Sequence, residues 1–187
     1  MILRTRAIKI PDQTGNPVEE NVEGWPVILR FEPAEAAPAI GLTDLSHRPK
    51  AVVQGAVVRE LDPPGPGLAK WTGKGYIGSL TQDEAVIFDL TGSMAVDWQN
   101  PAYTDMTEAW VLLAVWGPKA LPVMQRLVEI DIERPDLDHP FYLITQNHAI
   151  NVQIINLKRT EPGFLIACNR SHGQNLFDTL LHAGEHL

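Results

Sequence analysis

The segment Trp110–Trp116 constrains the fold of this chain more than any other, because every residue in it is apolar. Continuous apolarity over a short run predicts a strand that is buried on both faces, in the middle of a sheet. Gly117 suits a helix N-cap and Pro118 the first helical position, where its missing amide hydrogen has no cost. The apolar residues that follow share one helical face: Leu121, Met124, Leu127 and Val128. The sequence therefore predicts a central strand followed by an amphipathic helix that ends near Glu129.

Several other short segments have the β-branched or alternating pattern of strands. They are residues 27–31, 85–90, 141–145, 151–157 and 164–169. The Gly- and Pro-rich residues 60–78 are predicted to form a loop. A last helix is predicted to begin with the capping box of residues 171–174, to bury Leu176 and Leu180, and to end at Gly184. Because strands and helices do not alternate regularly, we predict an α+β fold with mainly antiparallel sheets and a few packed helices.

Composition limits the function classes. The formal charge of −8 and the pI of about 5.2 argue against nucleic acid or an anionic membrane as the main partner. No apolar run approaches the length of a membrane span, and residues 1–6 lack a signal-peptide core, so we expect a cytoplasmic protein. The length predicts a single domain over 22–187, preceded by a strand or arm over 1–22. Cys168 lies in an apolar strand pattern and is expected to be a core residue.

Residues 41–47, Gly-Leu-Thr-Asp-Leu-Ser-His, precede the apolar segment 51–53. Gly41 is predicted to let the chain turn, and Asp44, Ser46 and His47 are predicted to lie on a tight bend before the strand. Asp and Ser in such bends commonly hydrogen-bond nearby backbone amides, so Asp44 and Ser46 are candidate turn stabilisers. His47 is a candidate ligand or proton carrier, and a capping or packing role is an equal alternative.

Two motifs give this chain a resemblance to the aminomethyltransferase family, which includes the T-protein of glycine cleavage and related subunits of sarcosine oxidase. Residues 41–47 resemble the family signature gly-leu-x-asp-leu-ser-his. Residues 114–120, Ala-Val-Trp-Gly-Pro-Lys-Ala, resemble ala-leu-gln-gly-pro-lys-ala. The resemblance implies a fold like the T-protein N-terminal domain with the C-terminal barrel absent. It also implies tetrahydrofolate as the cofactor, with Asp44, Ser46 and His47 among its binding residues.

A third family signature, arg-thr-gly-tyr-thr-gly-glu, is matched in part by residues 158–164, Lys-Arg-Thr-Glu-Pro-Gly-Phe. In the family the Glu helps to hold the pterin ring of the folate, because a carboxylate accepts hydrogen bonds from the ring amine and a ring nitrogen together. Here Arg159 and Thr160 match, the following insertion is missing, and Glu161 lies nearby. The resemblance implies folate binding by Arg159 and Glu161; as an alternative, Glu161 is an ordinary polar hairpin residue.

Asp89 is the candidate catalytic residue. T-proteins place a pair of Asp residues after gly-gly-val-ile, and residues 86–90, Val-Ile-Phe-Asp-Leu, resemble that segment with one Asp kept. The resemblance implies that such a carboxylate orients the attacking nitrogen and stabilises an iminium-like carbon. The alternative is that the catalytic segment is deleted and residues 84–90 correspond to a later strand.

The retained and missing motifs resemble those of the sarcosine oxidase γ subunit, which has a similar length and lacks the barrel. The leading hypothesis is therefore a folate-linked subunit for aminomethyl or methyl transfer, in a hetero-oligomer whose partner carries the missing domain or a flavin. A non-catalytic scaffold that binds no folate is the second hypothesis, and a self-sufficient transferase that uses Asp89 is the third.

Residues 182–186, His-Ala-Gly-Glu-His, match the H-x-x-E-H motif of inverted zinc peptidases. Such a site needs a helix under the whole motif and a further ligand downstream. Because Gly184 is expected to break the helix, no metal site is predicted.

Overall fold

The structure of the chain, a computed structural model, describes residues 8–9, 16–22, 24–32, 40–147 and 149–185. The strands in these residues are β1 (Asn16–Val22), β2 (Trp25–Glu32), β3 (Gly41–Asp44), β4 (Lys50–Gln54), β5 (Ala69–Trp71), β6 (Gly75–Ser79), β7 (Glu84–Asp89), β8 (Tyr103–Asp105), β9 (Trp110–Trp116), β10 (Phe141–Asn147), β11 (Ile150–Asn156) and β12 (Gly163–Asn169). The helices are α1 (Ala120–Leu127) and α2 (Gly173–Glu185), with short 3-10 helices at Ala56–Leu61 and Arg170–His172. All described strand pairs are antiparallel, so the predicted α+β class is confirmed.

Sheet I has the strand order β10-β11-β12-β9-β3. The central-strand prediction for Trp110–Trp116 is confirmed, because β9 has hydrogen-bonded neighbours on both sides. The turn predicted at Gly41 is wrong, because Gly41–Asp44 form the edge strand β3. The tight bend lies after this strand and before β4. A segment of four residues is too short to show the alternation that identifies a strand in a sequence. Strand β3 is defined by its pairing with β9, for example Gly41↔Trp116, and the two strands are distant in sequence.

Sheet II has the strand order β5-β6-β7-β4-β8. The prediction of a loop over 60–78 is wrong, because that range contains β5 and most of β6. Its glycines serve close packing: a Cβ on Gly75 would lie 2.2 Å from the Phe88 carbonyl oxygen, and one on Gly78 2.8 Å from the Tyr142 ring. Both five-stranded sheets are open, and the described residues form no closed barrel.

The side chains of β9 alternate between two hydrophobic layers. Val111, Leu113 and Val115 pack in the layer that contains the apolar faces of α1 and α2. Trp110 and Leu112 belong to the opposite layer. That second layer also holds residues of sheet II: Tyr76, Val86 and Phe88. Sheet I therefore lies between the helices and sheet II, and the space between the two sheets is where the cavity described below lies.

The hairpin formed by β1 and β2 carries a buried Trp25, whose ring centroid is 5.0 Å from the guanidinium carbon of Arg170. The division predicted at residue 22 falls at the end of β1, whose hydrogen-bonding partner β2 lies on the other side of it. That division stays a prediction.

Both helices differ from their predicted bounds. Helix α1 begins at Ala120 with Lys119 as N-cap, and it ends at Leu127 because Val128 is extended. Helix α2 starts only at Gly173, after a turn of 3-10 helix, and continues to Glu185, so its predicted end at Gly184 is wrong. A Cβ on Gly184 would lie 2.7 Å from Ile40 Cγ2, so this glycine permits close packing inside the helix.

Candidate functional site

Hydrogen bonds of both side chains and backbone groups stabilise the bend after β3. The Ser46 amide donates to Asp44 Oδ1 at 2.9 Å, and the Arg48 amide donates to the Leu45 carbonyl at 2.9 Å. The buried Ser46 hydroxyl accepts from the Leu112 amide of β9 at 3.2 Å. The turn-stabilising interpretation is therefore confirmed for Asp44. The Ser46 hydroxyl instead joins the bend to the central strand β9.

Lys50, at the start of β4, was missed in the sequence because lysine is rarely buried. Its side chain is fully buried, and Nζ donates to the Ser46 and Arg48 carbonyls at 2.8 Å each. Burial lowers the pKa of Lys50 to about 7, against the opposing effect of Asp44 and Asp105. The two hydrogen bonds from Nζ thus tie together the backbone of the bend.

His47 lies half-buried on the same bend. Burial, followed by the positive charges of Arg48 and Lys50, lowers the pKa of His47 to about 4. Its imidazole is therefore neutral at pH 7. A neutral imidazole suits packing or hydrogen bonding better than it suits binding an anion.

Asp89, at the end of β7, is also buried, with 2% of its surface exposed. Its Oδ1 accepts from the Thr91 amide at 3.0 Å, the Thr91 hydroxyl at 3.1 Å and the Gly92 amide at 2.8 Å. Its Oδ2 accepts from the Met94 amide at 2.8 Å. Both oxygens thus organise the loop that follows the strand.

A cavity of about 570 Å³ opens between the two sheets, near the ends of β9 and β11 and the start of β12. Its walls are mostly apolar and come from both sheets: Leu45, Tyr76, Leu90, Ala114, Val115, Trp116, Leu157, Gly163, Phe164 and Leu165. Its remaining lining is the loop from Arg159 to Pro162, between β11 and β12. The volume lies within the range of about 300–1,000 Å³ that is usual for small-molecule sites.

The polar rim of this cavity consists of Arg159, Thr160 and Glu161, all exposed. Within the described part of the chain, the Arg159 and Glu161 side chains form no hydrogen bond or ion pair. Arg159 also lines a smaller neighbouring cavity of about 320 Å³, together with Glu133 and Lys158. An unpaired cation and an unpaired carboxylate therefore flank an apolar slot.

The structure brings some of the predicted site residues together and leaves others apart. Arg159 and Glu161 line the cavity. Asp44, Ser46 and His47 do not line it, although Leu45 of the same segment does. Asp89 does not line the cavity, although the adjacent Leu90 does. The sequence pattern indicates Trp116 only as part of a strand. The signal that could have found it is the Trp in place of the gln of the family signature that residues 114–120 resemble.

A group of acidic, His or Cys side chains that could hold a metal ion is not found among the described residues. His182 is exposed on α2, and His186 of the H-x-x-E-H match lies outside the described residues. In the same part of the chain, no helix has the length and apolarity needed to cross a membrane.

Comparison with known proteins places these features in a family. Residues 79–187, more than half of the chain, match the GCVT N-terminal domain family. The chain belongs to this family. The match includes Asp89, Arg159 and Glu161, and it begins after the bend that carries Asp44. The resemblance inferred from the motifs is thereby confirmed at the level of the family.

Two similar proteins extend the comparison beyond the family match. An aminomethyltransferase of Bacillus velezensis is 27% identical over 199 residues, which cover 87% of this chain and 53% of that protein. The GCVT-like chain thus spans about half the length of this relative. A chain of the heterotetrameric sarcosine oxidase from Corynebacterium sp. U-96, solved with pyrrole 2-carboxylate, has a TM-score of 0.64 at 13% identity. The likeness covers 81% of this chain and 87% of that chain, and it shows a shared fold.

Proposed function

We propose that this chain is a reduced-folate-binding subunit for aminomethyl or methyl transfer, which works together with a partner chain. The observation that carries the proposal is the cavity between the sheets with the unpaired Arg159 and Glu161 on its rim. The fold family and the aminomethyltransferase relative support folate as the ligand.

The residues of the cavity suit the three chemical parts of tetrahydrofolate. The Glu161 carboxylate can accept hydrogen bonds from the pterin amine and a ring nitrogen. The apolar walls suit the rings, and the Arg159 guanidinium suits a carboxylate of the glutamate tail, which it can bind with two parallel hydrogen bonds. Bound reduced folate supplies the acceptor for the one-carbon unit, while this chain binds and orients it.

A partner chain is proposed because the structural neighbour of this chain belongs to a heterotetramer. Such a partner would carry a flavin or a further domain of the assembly. Exposed Trp71 and Trp98, 44% and 47% accessible, are available for an interface, because aromatic residues are enriched in protein contacts.

A non-catalytic scaffold is the second candidate, favoured by one specific observation. Each oxygen of the Asp89 carboxylate already accepts hydrogen bonds from the loop at 91–94. Direct catalysis by Asp89 would require these contacts to be exchanged for contacts with substrate. The proposal therefore assigns binding to this chain, and catalysis by Asp89 remains a prediction.

Calorimetric titration with tetrahydrofolate under anaerobic conditions tests the proposal. We expect saturable binding in the micromolar range, weakened about tenfold in Glu161→Gln because a lost hydrogen-bonding carboxylate costs about 1.4 kcal/mol. The matched control is Glu129→Gln, an exposed carboxylate two residues after the end of α1, which should bind as the unchanged chain does.

Three results would change the proposal. Absence of binding up to millimolar tetrahydrofolate, in protein shown to be folded, would leave the non-catalytic scaffold as the remaining candidate. Equal binding by Glu161→Gln and the unchanged chain would place the folate elsewhere. Loss of binding in a folded Asp89→Asn variant would favour the self-sufficient transferase.

A further inference from the structure

Trp116 occupies an unusual position at the end of the central strand β9. In the strand register it is paired with Gly41 of β3 on one side and with Gly163 of β12 on the other. Its side chain is 40% exposed and lines the cavity between the sheets. A large aromatic residue between two glycines therefore stands at the cavity with part of its surface uncovered.

The indole is held in place by two contacts with β3. Its Nε1–H donates to Thr43 Oγ1 at 3.2 Å. A Cβ on Gly41 would lie 2.1–2.5 Å from three ring atoms of Trp116, so the ring packs directly on the backbone of the edge strand. The ring is thus backed and tethered before any ligand arrives, which lowers the entropic cost of binding to it.

We propose that Trp116 binds a planar heteroaromatic ring by stacking, and so selects the ring system of the ligand; this rests on the proposed folate function. Aromatic rings stack with a favourable energy beyond their buried area, and an indole provides the largest face of any side chain. Glu161, on the same cavity, accepts the hydrogen bonds that the ring edge offers. Trp116 thus contributes affinity for the flat face of the ligand ring, and Glu161 selects rings whose edge carries hydrogen-bond donors.

The environment of Trp116 distinguishes it from the other exposed tryptophans. Trp98 has 47% exposure and does not line the cavity. Trp71 lies on the edge strand β5 of sheet II and does not line the cavity, although its ring centroid is 5.0 Å from that of Tyr76, which does. Among these, Trp116 alone combines exposure, a fixed orientation and an apolar cavity that a ring could enter.

The test uses binding of three probes to the full chain: tetrahydrofolate, 6-hydroxymethylpterin and lumichrome, a planar tricycle that is not a folate. The variants are Trp116→Leu, which keeps apolar bulk without the ring, Trp116→Phe, which keeps a smaller ring, and Thr43→Val, which removes the tether. Trp98→Leu is the matched control. Circular dichroism and urea unfolding establish that each variant is folded.

We expect Trp116→Leu to weaken 6-hydroxymethylpterin about tenfold to a hundredfold, as stacking contacts of nucleobases do when they are removed. Trp116→Phe should recover part of that loss, and Thr43→Val should give a smaller loss. Trp98→Leu should change nothing. Recovery by another aromatic ring is a result that a merely structural role of Trp116 would not produce.

Each remaining outcome separates the stacking inference from the folate proposal. Equal binding of tetrahydrofolate by Trp116→Leu and the unchanged chain overturns stacking and leaves the folate proposal standing. Trp116-dependent binding of lumichrome without folate binding overturns the folate proposal and supports stacking. Failure of the unchanged chain to bind any of the three probes overturns both.

Discussion

The bend at 44–50 and the rim at 159–161 are both rich in polar groups, yet their side chains differ in what they contact. Asp44 and Lys50 in the bend hydrogen-bond backbone groups of the same segment. Arg159 and Glu161 on the rim form no hydrogen bond or ion pair within the described residues. Asp89 follows the pattern of the bend, because both of its oxygens accept hydrogen bonds from the next loop.

This difference separates residues that build the site from residues that can meet a ligand. A carboxylate or ammonium that is buried and satisfied by backbone groups stabilises one local conformation. An unpaired charged group beside an apolar cavity has its hydrogen-bonding capacity available to a ligand. We therefore expect substitutions in the bend and at Asp89 to change stability first, and substitutions on the rim to change affinity first.

The largest effect is expected from Asp89→Ala. Three amides and one hydroxyl would lose their acceptor, which should lower the free energy of unfolding by about 3 kcal/mol. Urea unfolding followed by circular dichroism measures it. Asp97→Ala is the control, because the exposed Asp97 accepts from a single amide and its loss should cost less than about 1 kcal/mol. Unchanged stability of Asp89→Ala together with lost folate binding would contradict the division between the two regions.

A pH-dependent effect is expected from Lys50. Its pKa is lowered to about 7 in the folded chain, so between pH 7 and its ordinary value near 10.5 the unfolded chain binds the extra proton. Stability should therefore rise with pH in this window, by about 2 kcal/mol from pH 7 to pH 9.

The comparison with Lys50→Met isolates this contribution. That variant lacks the titrating amine, so its free energy of unfolding should not rise from pH 7 to pH 9. The effect of Cys168, whose pKa burial raises to about 11, is present in both proteins. An equal change in stability of the two proteins from pH 7 to pH 9 would contradict the lowered pKa, because it would show that the folded chain keeps the Lys50 amine protonated over this range.

The smallest effect on stability is expected from Arg159→Gln. Its exposed side chain has no partner among the residues that the structure describes, so the free energy of unfolding should change by less than about 0.5 kcal/mol. Affinity for tetrahydrofolate should fall about tenfold, while affinity for 6-hydroxymethylpterin, which has no carboxylate tail, should stay the same. Calorimetry measures both, with the exposed Arg59→Gln as control. An equal loss of affinity for the two ligands would contradict the assignment of Arg159 to the carboxylate tail of tetrahydrofolate.

Sequence patterns predicted the parts of the fold that depend on local regularity. The strand Trp110–Trp116 and the strands between 141 and 169 have enough consecutive apolar or alternating residues to be recognised. Strands β3 and β5 are too short to show a period of two in the sequence. Strand β6 could not be recognised because Gly75 and Gly78 indicate turns locally, whereas their role is close contact with Phe88 and Tyr142. That role depends on sheet pairing, which sequence periodicity does not record.

The candidate site was predictable only in part, for a similar reason. Arg159 and Glu161 were found through the resemblance, and the structure adds that they share a cavity. Lys50 was missed because its burial comes from contacts across the bend. Trp116 was missed because its glycine neighbours belong to strands that are distant in sequence.

The most direct test of the account is a titration of the ¹⁵N-labelled chain with tetrahydrofolate under anaerobic conditions, followed by NMR. Ligand binding at the cavity should shift the Trp116 indole N–H and the backbone amides of Arg159, Thr160, Glu161 and Gly163. The amides that donate to Asp89, those of Thr91, Gly92 and Met94, should stay unchanged. Shifts centred on 91–94, with none at 159–163 or at Trp116, would contradict it and place the ligand at Asp89 instead.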